Sequence, residues 1–258
     1  MRVLVTRPAN LAAGLVEMIN AMGDVAELFP VIEIKKTSQQ ARLHSAIDIL
    51  DTQDIAIFIS QSAVQFGMPA IQSRWPKEEL LPNLLWAAIG SGTARALQNL
   101  GIQDVLFPPA PPYESESLVA MPTFQTPQIH GKKISLFRGN GGRELLSETL
   151  RSRGALVQII EVYQRCLPVL DTQMVEKIKH WQHTPFNVMI TTSADSLYNL
   201  VQLLGNTVDG LTQIPLIVVG ARMQKLAKEL NFKNLLVATS ADDGSIINVL
   251  KMFKDTRV

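Results

Sequence analysis

The stretch ISLFRGNGGRELL, residues 134–146, combines a short apolar run, a glycine-rich turn and the start of a helix-like segment. Glycine has no Cβ, so Gly139, Gly141 and Gly142 allow the chain to turn sharply between a strand and a helix. Nucleotide-binding loops have the same outline. If the chain contains a second copy of this segment, comparing the two copies tests whether it is such a loop.

Apolar runs and helix-like segments alternate along the 258 residues. The runs RVLVT (2–6), DIAIFIS (54–60) and LLWAAIG (84–90) predict buried strands. The segments LAAGLVEMINAMG (11–23) and TARALQNLG (93–101) predict helices that each end at a glycine. Strands separated by helices are typical of parallel sheets.

The second half of the chain repeats landmarks of the first half. IFISQSAV (57–64) matches MITTSADS (189–196) at a shift of 132 residues, or of 131 if Ser62 is set on Ser193. Pairs of residues at a nearly constant separation are Arg7 with Arg138, Gly23 with Gly154, Gly90 with Gly220, and Ser115 with Ser245. Such regular spacing indicates an internal duplication. The sequence therefore predicts two similar α/β domains, each a parallel sheet flanked by helices.

The duplication bears on the glycine-rich turn. Its copy in the first half, TRPANLAAGLV (6–16), has no glycine cluster. Glu144 occupies the place of the third glycine of a dinucleotide fingerprint, and no Gly-Lys-Ser or Gly-Lys-Thr follows as a Walker loop requires. Glu161 does stand near the distance of a ribose-binding acid. An ordinary strand-to-helix turn is the favoured interpretation, and a nucleotide-dependent enzyme stays open as an alternative.

Composition narrows the function classes. The net charge is +1, which gives no bulk reason to expect nucleic acid or an anionic membrane as a partner. Aromatic residues make up 6%, too few for base-stacking surfaces. No apolar run reaches the length of a membrane span. Cys166 is the single cysteine, which excludes an intrachain disulfide framework and favours a cytoplasmic location.

Hydroxyl, amide and glycine residues follow the predicted strands, where parallel sheets bind ligands. Helix N-termini at these loops favour anions. The candidate binding residues are Thr6, Ser60, Ser62, Gly90, Thr93, Ser115, Gly139, Asn140, Thr192, Ser193 and Gly220, with Arg7, Arg138 and Arg222 beside them. Simple helix capping is the competing interpretation for each hydroxyl.

Other catalytic signatures are weak. His180 and His183 have no Cys, Asp or Glu at ligand spacing, so we expect a surface helix rather than a metal site. No G-x-S-x-G motif for a serine hydrolase occurs. The segment of the first half that corresponds to the surroundings of Cys166 contains no cysteine. This favours a packed cysteine over a catalytic nucleophile. The sequence predicts no metal and no cofactor.

The chain resembles the uroporphyrinogen-III synthase family over nearly its whole length. The resemblance rests on the order and spacing of motifs that are individually weak: VTRP (5–8), IFISQSAV (57–64), AAIGSGTARAL (87–97), PPYESESL (111–118), LFRGNGGRELL (136–146), EVYQR (161–165) and MITTSADSL (189–197). One departure is Gly220-Ala221-Arg222-Met223, which stands where the family often has a threonine pair. At that loop either Arg222 would hold a carboxylate instead, or the site would use the backbone alone.

The resemblance implies domains that are not the sequential halves. Residues 1–35 and 168–258 would form one discontinuous domain, and residues 37–166 the other. The chain would cross between them near residues 34–38 and 163–168, which fall at equivalent places in the repeat. Two extended linkers would form a hinge beside an inter-domain cleft, and such clefts often bind ligands.

The resemblance also implies a reaction. Members of the family close the linear tetrapyrrole hydroxymethylbilane with loss of water and inversion of ring D, without a cofactor. Tyr163 matches the family's cleft tyrosine and would assist the leaving hydroxyl, while the loops hold the substrate's carboxylates. A purely packing role for Tyr163 is the competing interpretation. We further expect a cytoplasmic monomer that makes transient contact with the preceding pathway enzyme. A non-catalytic two-domain binder of an anionic small molecule stays open as the alternative.

Overall fold

The computed structural model describes residues 1–76, 81, 83–142, 144–181, 186–205 and 208–256. The chain folds into two compact units. The first unit comprises Met1–Glu33 and Cys166–Val258, and the second unit comprises Ile34–Arg165. The first unit is therefore built from two separate pieces of chain.

A five-stranded sheet forms the centre of the first unit. With elements numbered along the whole chain, its strands are β1 (Arg2–Val5), β2 (Val25–Leu28), β9 (Val188–Ile190), β10 (Leu216–Val219) and β11 (Leu235–Ala238). They lie in the order β11-β10-β9-β1-β2, and the pairs along this order are parallel. The helices are α1 (Ala13–Ala21), α8 (Thr172–Trp181), α9 (Ala194–Leu204), α10 (Val208–Leu211), α11 (Gly220–Glu229) and α12 (Asp243–Asp255).

A six-stranded sheet forms the centre of the second unit. Its strands are β3 (Glu33–Lys36), β4 (Ile55–Phe58), β5 (Leu85–Ala88), β6 (Val105–Leu106), β7 (Lys133–Gly139) and β8 (Leu156–Cys166). They lie in the order β3-β8-β7-β4-β5-β6, and the pairs from β8 to β6 are parallel. The helices are α2 (Gln40–Asp48), α3 (Gln61–Arg74), α4 (Ser91–Gln98), α5 (Ser115–Ala120), α6 (Thr126–Ile129) and α7 (Leu145–Ser152).

The two sheets have the same strand order once the sequence repeat is applied. Strands β11, β10, β9, β1 and β2 correspond in turn to β6, β5, β4, β7 and β8. Each sheet combines strands from both halves of the sequence. The unit boundaries fall at the start of β3 and the end of β8, which are neighbours in the second sheet. The prediction of α/β architecture with parallel sheets flanked by helices is confirmed.

Alternation along the strands buries both faces of the second sheet, because successive side chains point to opposite sides. In β4, Ala56 and Phe58 pack with helices α2, α3 and α4, whereas Ile55 and Ile57 pack with α5, α6 and α7. Phe58 stacks on Phe137 of β7 with ring centroids 4.4 Å apart. This continuous burial explains why the strands are apolar runs rather than alternating polar and apolar segments.

Candidate functional site

A cavity of about 420 Å³ lies at the carboxyl ends of β4, β5, β7 and β8 in the second unit. Its walls include Ile59, Ile89 and Tyr163, together with residues 113–115 and 138–142. A larger groove of about 650 Å³ lies elsewhere, between α2 and β8. We take the 420 Å³ cavity as the candidate site because ligands of parallel sheets bind at the carboxyl ends of the strands.

Tyr163 forms a buried wall of this cavity. It lies on β8, its side chain is 2% exposed, and it belongs to the core of the second unit. Its phenolic oxygen Oη is 3.3 Å from the Oγ atom of Ser60. Its ring is tilted against Phe66 with the centroids 6.0 Å apart. The ring of Tyr163 therefore packs in the core of the second unit, and its hydroxyl has a polar partner next to the cavity.

Two glycines at strand ends let two tyrosine rings approach the backbone. A Cβ atom on Gly139 would lie 2.4 Å from the ring of Tyr163, and one on Gly90 would lie 2.6 Å from Cβ of Tyr113. Contacts that short are sterically forbidden, so both positions require glycine for space. The glycines of the motifs AAIG and FRG thus place one tyrosine each beside the same cavity.

Arg138 organises the glycine-rich turn from inside. The residue is 3% exposed, and its guanidinium donates to the carbonyl oxygens of Gly139 and Gly141 and to Oε1 of Glu144, the last at 3.1 Å. The Ser147 hydroxyl donates to Oε2 of Glu144 at 2.8 Å. The Ser147 hydrogen bond, followed by the charge of Arg138, holds the pKa of Glu144 below its ordinary value. The guanidinium charge is therefore already matched by an ionised carboxylate.

Asn140 ties the turn to β8. Its backbone N–H donates to the carbonyl oxygen of Tyr163 at 2.9 Å, and its Oδ1 atom accepts from the backbone N–H of Arg165 at 3.0 Å. A register shift in the pairing of β7 and β8 falls between Arg138 and Gly139. The asparagine thus continues the contact between the strands after the bulge, which fixes the turn relative to Tyr163.

The remaining predicted residues of the second unit differ in exposure. Ser60 caps α3, with its Oγ accepting from the backbone N–H of Ala63 at 3.1 Å. Ser62 and Thr93 are buried at the starts of α3 and α4. Ser115 begins α5 and lines the cavity. The structure therefore places Ser115, Arg138, Gly139, Asn140 and Tyr163 in the walls of the cavity. Ser60 contacts Tyr163 and Gly90 lies against Tyr113, whereas Ser62 and Thr93 are in the interior.

The predicted residues of the first unit gather at the carboxyl ends of β1, β9 and β10. Thr6 is fully buried and donates its hydroxyl to the carbonyl oxygen of Ile190 at 2.8 Å. Arg7 is 8% exposed, and its guanidinium donates to Asp243 and to the carbonyl oxygen of Ala241. Both groups therefore have partners within the protein.

The other candidates of the first unit lie at helix starts. Ser193 caps α9 by accepting from the backbone N–H of Ser196 at 3.1 Å, and Thr192 directly precedes it. Gly220 is the first residue of α11, and Arg222 is exposed in the first turn of that helix. Ser60 and Ser193 share the capping position. The two loops therefore match at a shift of 133 residues, one more than the direct match of the two segments and two more than the setting of Ser62 on Ser193.

Sequence reasoning missed several cavity residues. Tyr113 and Glu114 precede Ser115, Arg165 follows Tyr163 by two positions, and Ile59 and Ile89 directly follow buried strands. A prediction based on hydroxyl and glycine residues leaves out the apolar and aromatic residues that line the cavity. The signal that could have found Tyr113 is its place in PPYESESL, immediately before a predicted helix.

The described part of the chain contains neither a candidate metal cluster nor a helix that could span a membrane. Within it, no three His, Cys, Asp or Glu side chains are grouped closely enough to hold a metal ion. None of the helices described there is long and apolar enough to cross a membrane. His180 lies in the last turn of α8, and His183 is outside the described residues. Cys166 is a half-buried free thiol at the end of β8.

Comparisons with known proteins agree with the resemblance seen in the motifs. A family model described as uroporphyrinogen-III synthase HemD matches residues 13–248. Uroporphyrinogen-III synthase of Escherichia coli (strain K12) is 35% identical over 97% of this chain and all of that protein. The enzyme of Salmonella typhimurium is 34% identical with the same coverage.

Solved structures share the fold. A uroporphyrinogen-III synthetase from Helicobacter pylori 26695 matches 98% of this chain and all of its own with a TM-score of 0.66 at 16% identity. A mutant uroporphyrinogen III synthase from Thermus thermophilus matches 99% of this chain and 98% of its own with a TM-score of 0.55 at 19% identity. With the family model spanning most of the residues and relatives above 30% identity along nearly the full length, the chain belongs to the uroporphyrinogen-III synthase family.

Proposed function

We propose that this chain converts hydroxymethylbilane to uroporphyrinogen III, a cyclising lyase reaction of tetrapyrrole and heme biosynthesis. The observation that carries the proposal is the family match over residues 13–248, together with relatives of the same name that align along their full length. The cavity at the carboxyl ends of the second sheet provides a place for the reacting part of the substrate. The reaction proceeds without a metal or organic cofactor.

Tyr163 is the proposed catalytic residue. Electrons from the pyrrole nitrogen expel the hydroxyl of the hydroxymethyl group, and that hydroxyl must gain one proton to leave as water. The phenol of Tyr163 donates to it. General acid assistance of this kind contributes about 10²–10⁴-fold. Closure of the macrocycle ends with the loss of one proton from a ring carbon, which restores the phenol and balances the reaction.

Orientation is the second requirement. After water leaves, the substituted position of ring D attacks the methylene carbon that lost the hydroxyl, giving a spiro intermediate, and only a suitably folded chain can do so. The bond from that position to the preceding methylene bridge then breaks, and the bridge rejoins ring D at its unsubstituted position, which inverts the ring. Holding reactants in the correct geometry can lower a barrier by about 7–11 kcal/mol. The walls contributed by residues 113–115 and 139–142 restrict how a pyrrole can enter beside Tyr163.

The substrate's carboxylates are bound by the loops at the strand ends. Arg7 and Arg138 are engaged by Asp243 and Glu144, so they act chiefly by holding these loops in shape. Exposed Arg222 is the better candidate for a direct carboxylate contact. The other candidate residues of these loops contribute to substrate binding through helix starts and backbone N–H groups, each by about 0.3–1 kcal/mol. They are Thr6, Ser60, Ser62, Gly90, Thr93, Ser115, Gly139, Asn140, Thr192, Ser193 and Gly220.

Several expectations remain predictions alongside this proposal. They are the hinge and cleft between the two domains, the monomeric state, the transient contact with the preceding pathway enzyme and the cytoplasmic location. Cys166 as the single cysteine supports the last of these, because a reducing compartment keeps thiols free.

A coupled assay with freshly made hydroxymethylbilane tests the proposed function. The purified chain, without added metal or nucleotide, is expected to give the type III isomer, identified by isomer analysis of the product. Spontaneous closure gives the type I isomer, so a reaction without protein is the matched control. Formation of type I alone would refute the proposal. Substrate binding without turnover would instead support the non-catalytic binder.

A further inference from the structure

Ser60 is placed to control the hydroxyl of Tyr163. Its Oγ atom accepts a hydrogen bond from the backbone N–H of Ala63 and lies 3.3 Å from the phenolic Oη. A serine hydroxyl has one donor and two acceptor positions. The Ala63 N–H occupies an acceptor position, which leaves the serine proton available for Tyr163.

The phenol itself has little freedom. Gly139 lies against one part of the ring, Phe66 is tilted against it, and the side chain is 2% exposed. A phenolic O–H prefers the plane of its ring, which gives it two favourable directions. When Ser60 donates to Oη, the phenolic proton must point away from Ser60. The direction of that proton therefore depends on Ser60 and not on movement of the ring.

We propose that Ser60 is a positioning residue for Tyr163, an inference that rests on the proposed function. Its hydroxyl donates to the phenolic oxygen and thereby directs the phenolic O–H toward the leaving hydroxyl of the substrate. When the phenol gives up its proton, the same donor stabilises the phenolate. The N-terminus of the 14-residue helix α3 favours that negative charge as well.

The repeat provides an internal comparison. Ser193 caps α9 in the same way, accepting from the backbone N–H of Ser196 at 3.1 Å, and its hydroxyl pairs with the Ser196 hydroxyl at 2.8 Å. Capping alone therefore does not require a tyrosine at this position. The contact with Tyr163 is a property of the second unit that capping leaves unexplained.

Three substitutions of Ser60 separate positioning from capping. Ser60→Thr keeps both the cap and the donor and is expected to retain kcat within about twofold. Ser60→Ala removes both, and kcat should fall about tenfold, the effect of one hydrogen bond, with KM changed much less. Ser60→Asp is as good a cap as serine, but an ionised carboxylate can only accept, so it turns the phenolic proton toward itself. We expect Ser60→Asp to regain the wild-type melting temperature and to keep a kcat at least about tenfold low.

Recovery of activity by Ser60→Asp would show that capping is the whole role of Ser60 and would overturn the proposal. In a Tyr163→Phe background, Ser60→Ala should cause no further loss of kcat, because the two residues act through one hydroxyl. An equal loss in both backgrounds would also contradict it.

Raman spectroscopy tests the pairing without any turnover, because the tyrosine doublet reports whether a phenol donates or accepts. The chain has three tyrosines. Ser60→Ala should change the doublet in the wild-type background and leave it unchanged in Tyr163→Phe. An unchanged doublet in both would overturn the inference. Type I product alone from the wild-type protein would remove the proposed function, and the positioning role of Ser60 with it.

Discussion

At the scale of single residues, the candidate arginines are distinguished by the carboxylates that pair with two of them. Arg7 and Arg138 occupy equivalent places in the repeat, and each is buried with a carboxylate partner. The carboxylates are partly exposed, whereas the guanidinium groups are buried, so removing a carboxylate would leave a buried positive charge without its partner. These two arginines therefore belong to the framework of the loops, and their substitution is expected to affect folding before substrate binding.

Tyr163→Phe tests the catalytic tyrosine. The ring contacts with Gly139 and Phe66 persist, while the hydroxyl beside Ser60 is lost. We expect kcat to fall about 10- to 10³-fold with a nearly unchanged melting temperature. Steady-state kinetics and thermal unfolding measure the two effects. Tyr198→Phe, at a position 52% exposed in the first unit, is the matched control. Full turnover by Tyr163→Phe would leave Tyr163 with a packing role only.

At the scale of elements, polar contacts at the starts of strands hold the second sheet in register. Asp54 precedes β4 and accepts from Nζ of Lys132 and from the backbone N–H of Lys133, both at 2.8 Å. The Lys132 hydrogen bond, followed by that of the Lys133 backbone, holds the pKa of Asp54 below its ordinary value of 3.8. This contact joins the beginnings of β4 and β7, opposite the end of the sheet that carries the cavity.

Asp54→Asn tests the contact through its pH dependence. A carboxylate whose pKa is lowered by folding stabilises the protein above its unfolded pKa and loses that contribution as pH falls through the folded value. The carboxylate is partly exposed, so its contribution is small. The free energy of unfolding of the wild type should exceed that of the variant by only about 0.2–1 kcal/mol at about pH 6.5. The difference should shrink below about pH 4.

Urea unfolding at several pH values measures that difference. Asp51→Asn removes a charge from a nearby exposed position and controls for net charge. A gap between Asp54→Asn and wild type that stayed constant down to about pH 3 would contradict the assignment.

At the scale of the whole molecule, each sheet depends on both halves of the sequence. Strand β1 pairs with β9, and β4 pairs with β7, so the two central pairs join residues far apart in the chain. The alternation of strands and helices is similar in both halves. The compact units nevertheless follow the strand pairing and not the order of the halves.

Fragments of the chain test this organisation. Residues 33–166 contain the whole second sheet, including β3, and are expected to unfold cooperatively as an isolated fragment. Residues 1–128 and 129–258 each contain parts of two sheets, and their apolar faces would remain uncovered. Circular dichroism during urea unfolding distinguishes the cases. Cooperative unfolding of both sequential halves would favour a simple tandem arrangement.

Much of this protein follows from local sequence. Apolar runs and helical periodicity are short-range patterns, so the alternation of strands and helices, the parallel sheets and the repeat could all be predicted. The glycine at the end of β7 could also be predicted from its local motif, whereas Tyr163 became a candidate only through the family resemblance. Element ends were less accurate: the predicted helix over residues 11–23 is a 3-10 turn at Ala9–Leu11 followed by α1 from Ala13 to Ala21.

Only the tertiary structure decided which polar groups are available to a ligand and which are buried or paired within the protein. Thr6 and Ser62 look like exposed loop hydroxyls in the sequence, yet both are buried, and the charge of Arg138 is matched by Glu144. Tyr163 and Ser60 lie on different elements, β8 and the start of α3. Their contact depends on the order β8-β7-β4, in which long-range packing brings distant strands together. Local periodicity carries no information about that order, so the site could be proposed from sequence, but its hydrogen bonds could not.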